Sequence, residues 1–500
     1  MKKAIRIIAV GLVMVLLAAC GNGSGDSGNG GGGNGGGGND PDPGYGSDVI
    51  DRPPSPYDFQ ETWMDLDGRF VTMIVNASRN LWDYDLYDID RTPNDTLRVI
   101  DILREIQEEY NFTLEIERHP SAGFLNMLRE YRIAGDTPFD IVEVGLTDFG
   151  VDGLWLFNLA MPVNHPAIVD IIMPDENPWP GAGFSTIGDT QWAVHFRPFN
   201  SPTVLGPTLI FNETLRARLG LPNFYDLVRN DEWTWDRFDS LLGEISNVSG
   251  GSIYPVIYSG ANAIMPSFIA SNNGHITVNT EAGFQFVGDT NENALEAMNF
   301  LVNNIAERNF FHPISPIHGH GISIAREVAD GEALFIFDYY AMLRNLRDQN
   351  PGYETDYVFG LLPPPRGPRA DGYISVLYAE VLYHIVNDID RPEQIAAVLV
   401  AMANRTIQRP YLVLEHELRY TLHTNASGEM LELMLNNVVI DISRVVAASR
   451  TAGDHGTTGA ANRILGMRAT PIQSMQEMVG SIQDQFNTVN DMIAGIFLGE

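Results

Sequence analysis

From Phe70 onward, apolar and polar positions fall into short runs of period two and longer runs of period 3.6. Phe70 to Val75 is a β-rich run, and Leu97, Ile100, Leu103, Ile106 and Tyr110 follow at helical spacing. Phe112, Leu114 and Ile116 then alternate with Glu115 and Glu117, as in a half-buried strand. A second helical stretch at about 124–134 leads into Phe139 to Val144, an apolar run suited to a buried parallel strand. The order β-α-β-α-β predicts, by the right-handed crossover rule, an open and mostly parallel sheet with helices on both faces. Ligands on such sheets bind beyond the carboxyl ends of the strands, here the loops that begin near Asn76 and Glu143.

A second unit repeats the alternation. A strand at Thr208 to Asn212 precedes helices at about 213–219 and 235–248, a strand at Tyr254 to Tyr258, and helices at about 263–272 and 292–308. Ala333 to Asp338 and Tyr357 to Leu361 read as strands. Pro363, Pro364, Pro365, Arg366, Gly367 and Pro368 then interrupt the pattern and suggest a stiff connection between two halves. Strand-like residues from Tyr373 to Val386, a helix at 392–405 and a mostly helical tail to Glu500 complete the chain.

Length agrees with two halves, because a single core rarely grows past ~300 residues and the chain has 500. The first 20 residues differ in kind. Lys2, Lys3 and Arg6 precede an apolar run from Ile7 to Leu17, and Leu17, Ala18, Ala19, Cys20 match a bacterial lipobox. The expectation is an export signal at 1–20 and a diacylglycerol on Cys20, the only cysteine, so the mature chain contains no internal disulfide. From Gly21 to Gly46, 14 of 26 residues are glycine, which makes 21–57 a flexible tether with an r.m.s. reach of roughly 30–35 Å. No other run is apolar for long enough to span a bilayer.

Charge narrows the chemistry. Sixty-four acidic against 31 basic residues give a formal charge of −33, and the only lysines are Lys2 and Lys3. Once the signal is removed no lysine remains for a phosphate loop, a Schiff base or general-base work, and polyanions such as nucleic acids are repelled. The sequence lacks a Gly-x-Ser-x-Gly elbow, a His-Glu-x-x-His pair and a phosphate loop, and nothing in it calls for a cofactor.

The segment order resembles the extracellular solute-binding proteins of bacterial ABC importers, in the group that includes maltose-binding protein. The resemblance rests on Glu109-Tyr110-Asn111 before a strand, Phe139-Asp140-Ile141-Val142, Leu209-Ile210-Phe211-Asn212-Glu213 and Leu219-Gly220-Leu221-Pro222. It continues through Trp233-Thr234-Trp235-Asp236-Arg237-Phe238, Gly331-Glu332-Ala333-Leu334-Phe335, Leu362-Pro363-Pro364 and Arg391-Pro392-Glu393-Gln394, and so spans roughly 66–405. It implies an α/β, two-lobe clamp of the type II periplasmic-binding-protein kind, each lobe an open mostly parallel sheet with helices on both faces, closing on a ligand by hinge motion. The implied layout is lobe one over 58–200 and 363–410, lobe two over 201–362, and a helical C-terminal segment over 411–500, mainly in lobe two. The implied protein is a monomer, lipid-anchored at the cell membrane and facing outward. Its partners are a carbohydrate ligand and ABC permease subunits.

A sugar presents apolar ring faces and many hydroxyls, so its site combines aromatic surfaces with carboxylates and amides. Asn80, Trp82 and Tyr84 lie in the loop after the first strand, with Trp82 a stacking platform or else packed on its own lobe. Glu143 ends a strand and Asp148 follows it; each suits sugar hydroxyls, and Glu143 equally suits a helix cap or surface charge. Asn262 falls in the second lobe's cleft loop by resemblance, and Asp338, Tyr339 and Tyr340 match its cleft segment. Trp233 and Trp235 flank Thr234, a helix N-cap, and belong to the core. His312, His318 and His320 sit in a Pro- and Gly-broken loop rather than a metal site, and Asp83, Asp85, Asp88 and Asp90 lack the glycine of a calcium loop. A glycoside hydrolase needs only two carboxylates and stays open as an alternative, as do a peptide or cationic ligand and a surface adhesin.

Overall fold

A computed structural model describes residues 61–76, 94–120, 123–135, 137–145, 159–173, 185–194, 205–258, 260–313, 331–340, 342–343, 357–377, 381–407, 417–418, 421–440, 457–466 and 468–498. The first half opens with β1 (Arg69–Asn76), α1 (Asn94–Tyr110), β2 (Phe112–His119), α2 (Phe124–Ala134) and β3 (Ile141–Gly145), followed by a short helix α3 (Val169–Ile172) and a hairpin of β4 (Thr186–Ile187) and β5 (Thr190–Gln191). The second half begins with β6 (Pro207–Asn212), α4 (Glu213–Arg218), α5 (Phe224–Arg229), α6 (Trp235–Val248), β7 (Tyr254–Tyr258) and α7 (Ala261–Ser271). It continues through β8 (Thr277–Thr280), β9 (Gly283–Phe286), α8 (Glu292–Val302), β10 (Phe311–Pro313), β11 (Ala333–Tyr339), β12 (Phe359–Leu362) and β13 (Ser375–Leu377). Last come β14 (Val381–Ile385), α9 (Pro392–Ile407), α10 (Asn425–Asn436), β15 (Val438–Ile440), α11 (Thr457–Leu465) and α12 (Pro471–Leu498).

Two sheets organise these elements. The first has the order β14-β3-β1-β2, with β1 parallel to both β2 and β3 and the late strand β14 antiparallel to β3. The second has the order β10-β7-β11-β6-β12, where β7 pairs in parallel with β10 and β11 while β6 runs antiparallel to β11 and β12. The one antiparallel strand of each of these sheets, β14 and β6, is the strand by which the chain arrives from the other half.

Each sheet is covered on both faces, because its strands alternate between two cores. Val71, Met73, Val75, Ile141, Tyr383 and Ile385 pack with α1 and α9, while Ile74, Val142 and Val144 pack with Phe124 and Leu128 of α2. In the second sheet Leu209, Phe211, Val256, Phe335 and Phe337 meet α6, α7 and α8, and Ile210, Ile257 and Ile336 meet Leu431 and Met434 of α10. Phe335 lies at the centre of an aromatic cluster, its ring 5.1 Å from Phe224 and 5.5 Å from Phe238. Trp233 and Trp235 are buried, and the Thr234 hydroxyl caps α6 by accepting from the Arg237 N–H, so these residues belong to the core as expected.

Three expectations shift. The helix expected over 292–308 ends at Val302 and continues as a π-helix, Asn303–Glu307, where the Asn304 amide donates to the Phe300 carbonyl and loosens the turn. The Pro363–Pro368 run does not leave the second half. Trp233 Nε1 donates to the Pro363 carbonyl, Arg366 exchanges backbone bonds with Trp233 and Trp235, and Gly367 N–H donates to Ser271. The chain enters the first sheet only at Val381. Finally, α7 begins at Ala261, so Asn262 lies in the first helical turn and not in a preceding loop. The C-terminal α12 packs on β9, where the Asn490 and Gln483 side chains accept from the N–H groups of Phe284 and Phe286.

Candidate functional site

The carboxyl end of the first sheet is polar and buried. Asn76 ends β1 at 6% exposure, and Glu143 lies near the end of β3 at 1%. The antiparallel register sets Tyr383 of β14 directly opposite Glu143, and the fully buried Tyr383 hydroxyl donates to Glu143 Oε2 at 3.1 Å. A carboxylate in such a place keeps an acceptor character that neighbouring apolar residues cannot supply.

Next to it lies a joint. Val194 and Tyr383 exchange both backbone hydrogen bonds at 2.9 Å, which adds residues 192–194 beside β14. Along this two-stranded joint the side chains divide between the halves. Trp192, Ala193 and Leu382 pack into the second half's core, and Val194, Tyr383 and Ile385 into the first's. His384 is fully buried there, and burial pushes its pKa down to about 4, so the ring is neutral at physiological pH. Its Nδ1 lies 2.9 Å from the Trp192 carbonyl, which only accepts; the proton therefore resides on Nδ1.

In the second sheet the parallel strands β7 and β11 end at Tyr258 and Tyr339. Asp338 is buried and accepts from the Tyr339 N–H at 2.7 Å, and Tyr339 is half-buried. Tyr340 turns back into the core, fully buried, and its hydroxyl donates to Glu417 Oε2 at 2.7 Å. Its ring is enclosed by the core, so of the two tyrosines expected in the cleft segment only Tyr339 keeps accessible surface. Asn80, Trp82, Tyr84 and Asp148 lie outside the described residues, as do Cys20, His318 and His320; for Asn262 only the backbone is described. His312, on β10, packs against Tyr254 with ring centroids 4.3 Å apart and planes tilted by 51°. Among the described residues no group of three or more His, Cys, Asp or Glu could hold a metal ion.

Covalent geometry brings the two carboxyl edges together. Gly206, at the start of β6, donates to the Val376 carbonyl at 2.6 Å, so β13 lies by the end of β6 that borders the carboxyl end of β11. A Cβ on Gly206 would sit 2.5 Å from that carbonyl, which explains the glycine. Four positions after Leu377, the last residue of β13, the chain is in the first sheet, Val381 pairing with Gly145 at the carboxyl end of β3. Four Cα–Cα steps from Leu377 to Val381 span at most ~15 Å. The polar ends of both sheets therefore border one crossing point.

Tyr383, His384, Trp192 and Tyr258 escaped the sequence reading. Tyr383 and His384 carried a signal, being polar-capable residues inside the apolar run from Tyr373 to Val386; Trp192 and Tyr258 carried none beyond their aromaticity.

No family model matches the chain, and no curated protein matches it. Solved structures do. MalE from the phytopathogen Xanthomonas citri, a sugar-binding protein, aligns over 86% of this chain and 100% of its own at 14% identity and a TM-score of 0.57. An ABC substrate-binding protein from Listeria monocytogenes, in complex with cycloalternan, covers 84% of this chain and 100% of its own at 12% identity and a TM-score of 0.53. Maltose-bound MalE3 from T. maritima covers 83% and 99% at 15% identity and a TM-score of 0.51. At these identities the likeness is one of fold: the chain is built as the two-lobe α/β clamp of which these binding proteins are examples.

Proposed function

We propose that the protein is a lipid-anchored extracellular receptor that captures a carbohydrate, an oligosaccharide, between its two halves and hands it to the permease of an ABC importer. The observation that carries this reading is the convergence of two polar carboxyl edges on one joint. Glu143 with Tyr383 lies on one side, Asp338 and Tyr339 end a strand on the other, and the strands between are shared by both cores. A joint whose side chains alternate between two packed bodies permits a hinge without exposing either core, and closure over a solute buries it away from water. The sugar-binding and maltose-bound neighbours support the choice of carbohydrate. The lipobox at Cys20 and the glycine-rich stretch behind it support anchoring and delivery at the membrane.

The test is ligand binding by the full chain in detergent. Neutral and acidic oligosaccharides, polyamines and short peptides are screened by thermal shift and tryptophan fluorescence, since a ligand that binds only the native state raises Tm. The expected result is a rise in Tm with a saccharide and unchanged saccharide on recovery. A response to polyamines or peptides alone would overturn the carbohydrate reading, and release of a shortened saccharide would make the protein an enzyme. Mass spectrometry of membrane-extracted protein checks the anchor; a first residue other than an acylated Cys20 would remove it.

A further inference from the structure

The amino edge of the first sheet, opposite the candidate site, carries three exposed apolar side chains. Residues 63–70 wrap the turn between α1 and β2: the Leu66 and Gly68 N–H groups donate to the Tyr110 and Asn111 carbonyls, and β1 then starts in register with β2, Phe70 beside Thr113. Trp63 is 61% exposed there and Phe70 62%. The helix α2 runs back along the sheet and ends at the same edge. Arg132 in its last turn pairs with Asp388, three residues beyond Ile385, which is the partner of Ile141 at the amino end of β3. The next residue, Ile133, is 75% exposed.

Trp63 Nε1 donates to the Glu109 carbonyl at 3.0 Å, so the one polar atom of the indole is already satisfied and the ring adds apolar surface. The other described tryptophans, Trp192, Trp233 and Trp235, are buried. Apolar residues scattered singly over a surface need no explanation; three along one edge mark a contact surface. Where the chain enters says what covers it. The described residues begin at Glu61, two positions before Trp63 and 41 after Cys20. On the scaling for a glycine-rich coil that length has an r.m.s. reach of roughly 30–40 Å. An acyl group on Cys20 keeps the edge within that reach of the bilayer and makes even a weak contact an intramolecular event. Carboxylates along the edge are met by arginines: Arg405 pairs with Glu61 and Glu109, Arg69 with Asp140, and Arg391 with Asp67 and Asp390. Pairing offsets part of the local charge, and at physiological salt more distant charges are largely screened beyond ~8 Å.

We propose that the amino edge of the first half is a membrane seat: Trp63, Phe70 and Ile133 enter the interfacial region of the phospholipid leaflet that holds Cys20. This rests on the lipid-anchor reading above and adds the resting orientation of the anchored body. Amphipathic rings such as indole favour the boundary between headgroups and acyl chains. The candidate site lies at the carboxyl edge, so a body seated on its amino edge holds the first half's share of that site away from the bilayer, toward arriving solute. Contact through three side chains is reversible, and the tether then lets the body lift off and turn for delivery.

The experiment uses the mature chain, Cys20 to Glu500, coupled through its only thiol to a maleimide phospholipid in phosphatidylcholine vesicles, so that seating is read independently of acylation in the cell. Trp63 emission, taken as the difference between the wild type and Trp63→Phe, is compared in ordinary vesicles and in vesicles whose lipids are brominated high on the acyl chain. The inference expects bromination to quench that emission at least about twofold, and Phe70→Ser with Ile133→Ser to remove at least about half of the quenching at unaltered Tm, since both residues are exposed. Equal emission in the two kinds of vesicle would overturn the seat, as would full quenching in the double variant. Trp63 emission that shifts with protein concentration in the absence of lipid would also overturn it, by putting a second copy of the chain on this edge. Failure of the anchor is read separately, by the mass spectrometry above. Absent quenching with an acylated Cys20 sinks the seat alone, whereas a mature chain without the acyl group sinks the anchor and the seat with it.

Discussion

Replacing Tyr340 by Phe separates a core role from a ligand role. The ring is fully buried among Ile336, Leu343, Leu422 and Met434, so Phe keeps the packing and removes only the hydroxyl. What is lost is one hydrogen bond of 2.7 Å to the fully buried Glu417 carboxyl, 77 residues away in sequence. Removing a donor from a buried carboxyl costs ~1–3 kcal/mol, and at ~2–4 °C per kcal/mol for a unit of this size Tm falls by roughly 2–12 °C. Tyr340→Ala adds a cavity and costs ~3–5 kcal/mol. The assay is urea and thermal unfolding of the full chain, with ligand affinity measured on the same preparations. The expected pattern is a lower midpoint for Tyr340→Phe, a much lower one for Tyr340→Ala, and saccharide affinity of Tyr340→Phe within about twofold of wild type. An unchanged midpoint together with a tenfold loss of affinity would refute the reasoning and put the ring back in the ligand's path.

Other outcomes follow from the same kind of contact. His384 has its pKa lowered to about 4 by burial, so between there and its ordinary value of 6.5 the unfolded chain binds the extra proton. Stability contributed by neutral His384 is full above pH 6.5 and is lost as pH falls toward 4, by about 3 kcal/mol, and His384→Gln flattens the slope of unfolding free energy across that window. Gly360→Ala places a Cβ 2.1 Å from Phe211 Cε1 and 2.5 Å from the Tyr225 hydroxyl; the strand pairing resists a shift, and chemical unfolding should show a loss of ~1–3 kcal/mol. The Tyr225 hydroxyl lies 2.9 Å from Ser427 Oγ and ties α5 to α10, so a double-mutant cycle of Tyr225→Phe with Ser427→Ala should show a coupling of ~0.5–1.5 kcal/mol.

How much of this was legible in the sequence depended on whether the cause was local. The helix Trp235–Val248 and the strand Tyr254–Tyr258 were read to the residue, because Thr234 caps the one and Tyr-Pro-Val-Ile-Tyr bounds the other. The start of α7 was read two residues late. Gly260, Ala261 and Ala263 carry no cap and no periodicity. Tyr340 was misread because its partner, Glu417, comes from a later segment that only the folded chain brings alongside. The proline run was read as a crossing because proline marks a break; where the broken chain then docks depends on the carbonyls of Trp233 and Ser271, to which Arg366 and Gly367 donate.

The site itself was half legible for a related reason. Strand ends such as Asn76, Glu143 and Asp338 can be found from the pattern, since an apolar run that stops at a polar residue marks a carboxyl edge. A joint cannot be found that way. Trp192 and Tyr383 are 191 positions apart, and in sequence each is only one more aromatic in an apolar stretch. Their meeting requires both crossings to pass the same edge, which the three-residue link between Leu377 and Val381 enforces. Alternation of Trp192, Ala193, Val194 and of Leu382, Tyr383 between the two cores ties the joint to both halves. The buried, neutral His384 bonds the two strands of the joint to one another through the Trp192 carbonyl. In the hinge proposed above, a rotation that preserved this bond would turn the halves about the joint with its two strands kept together.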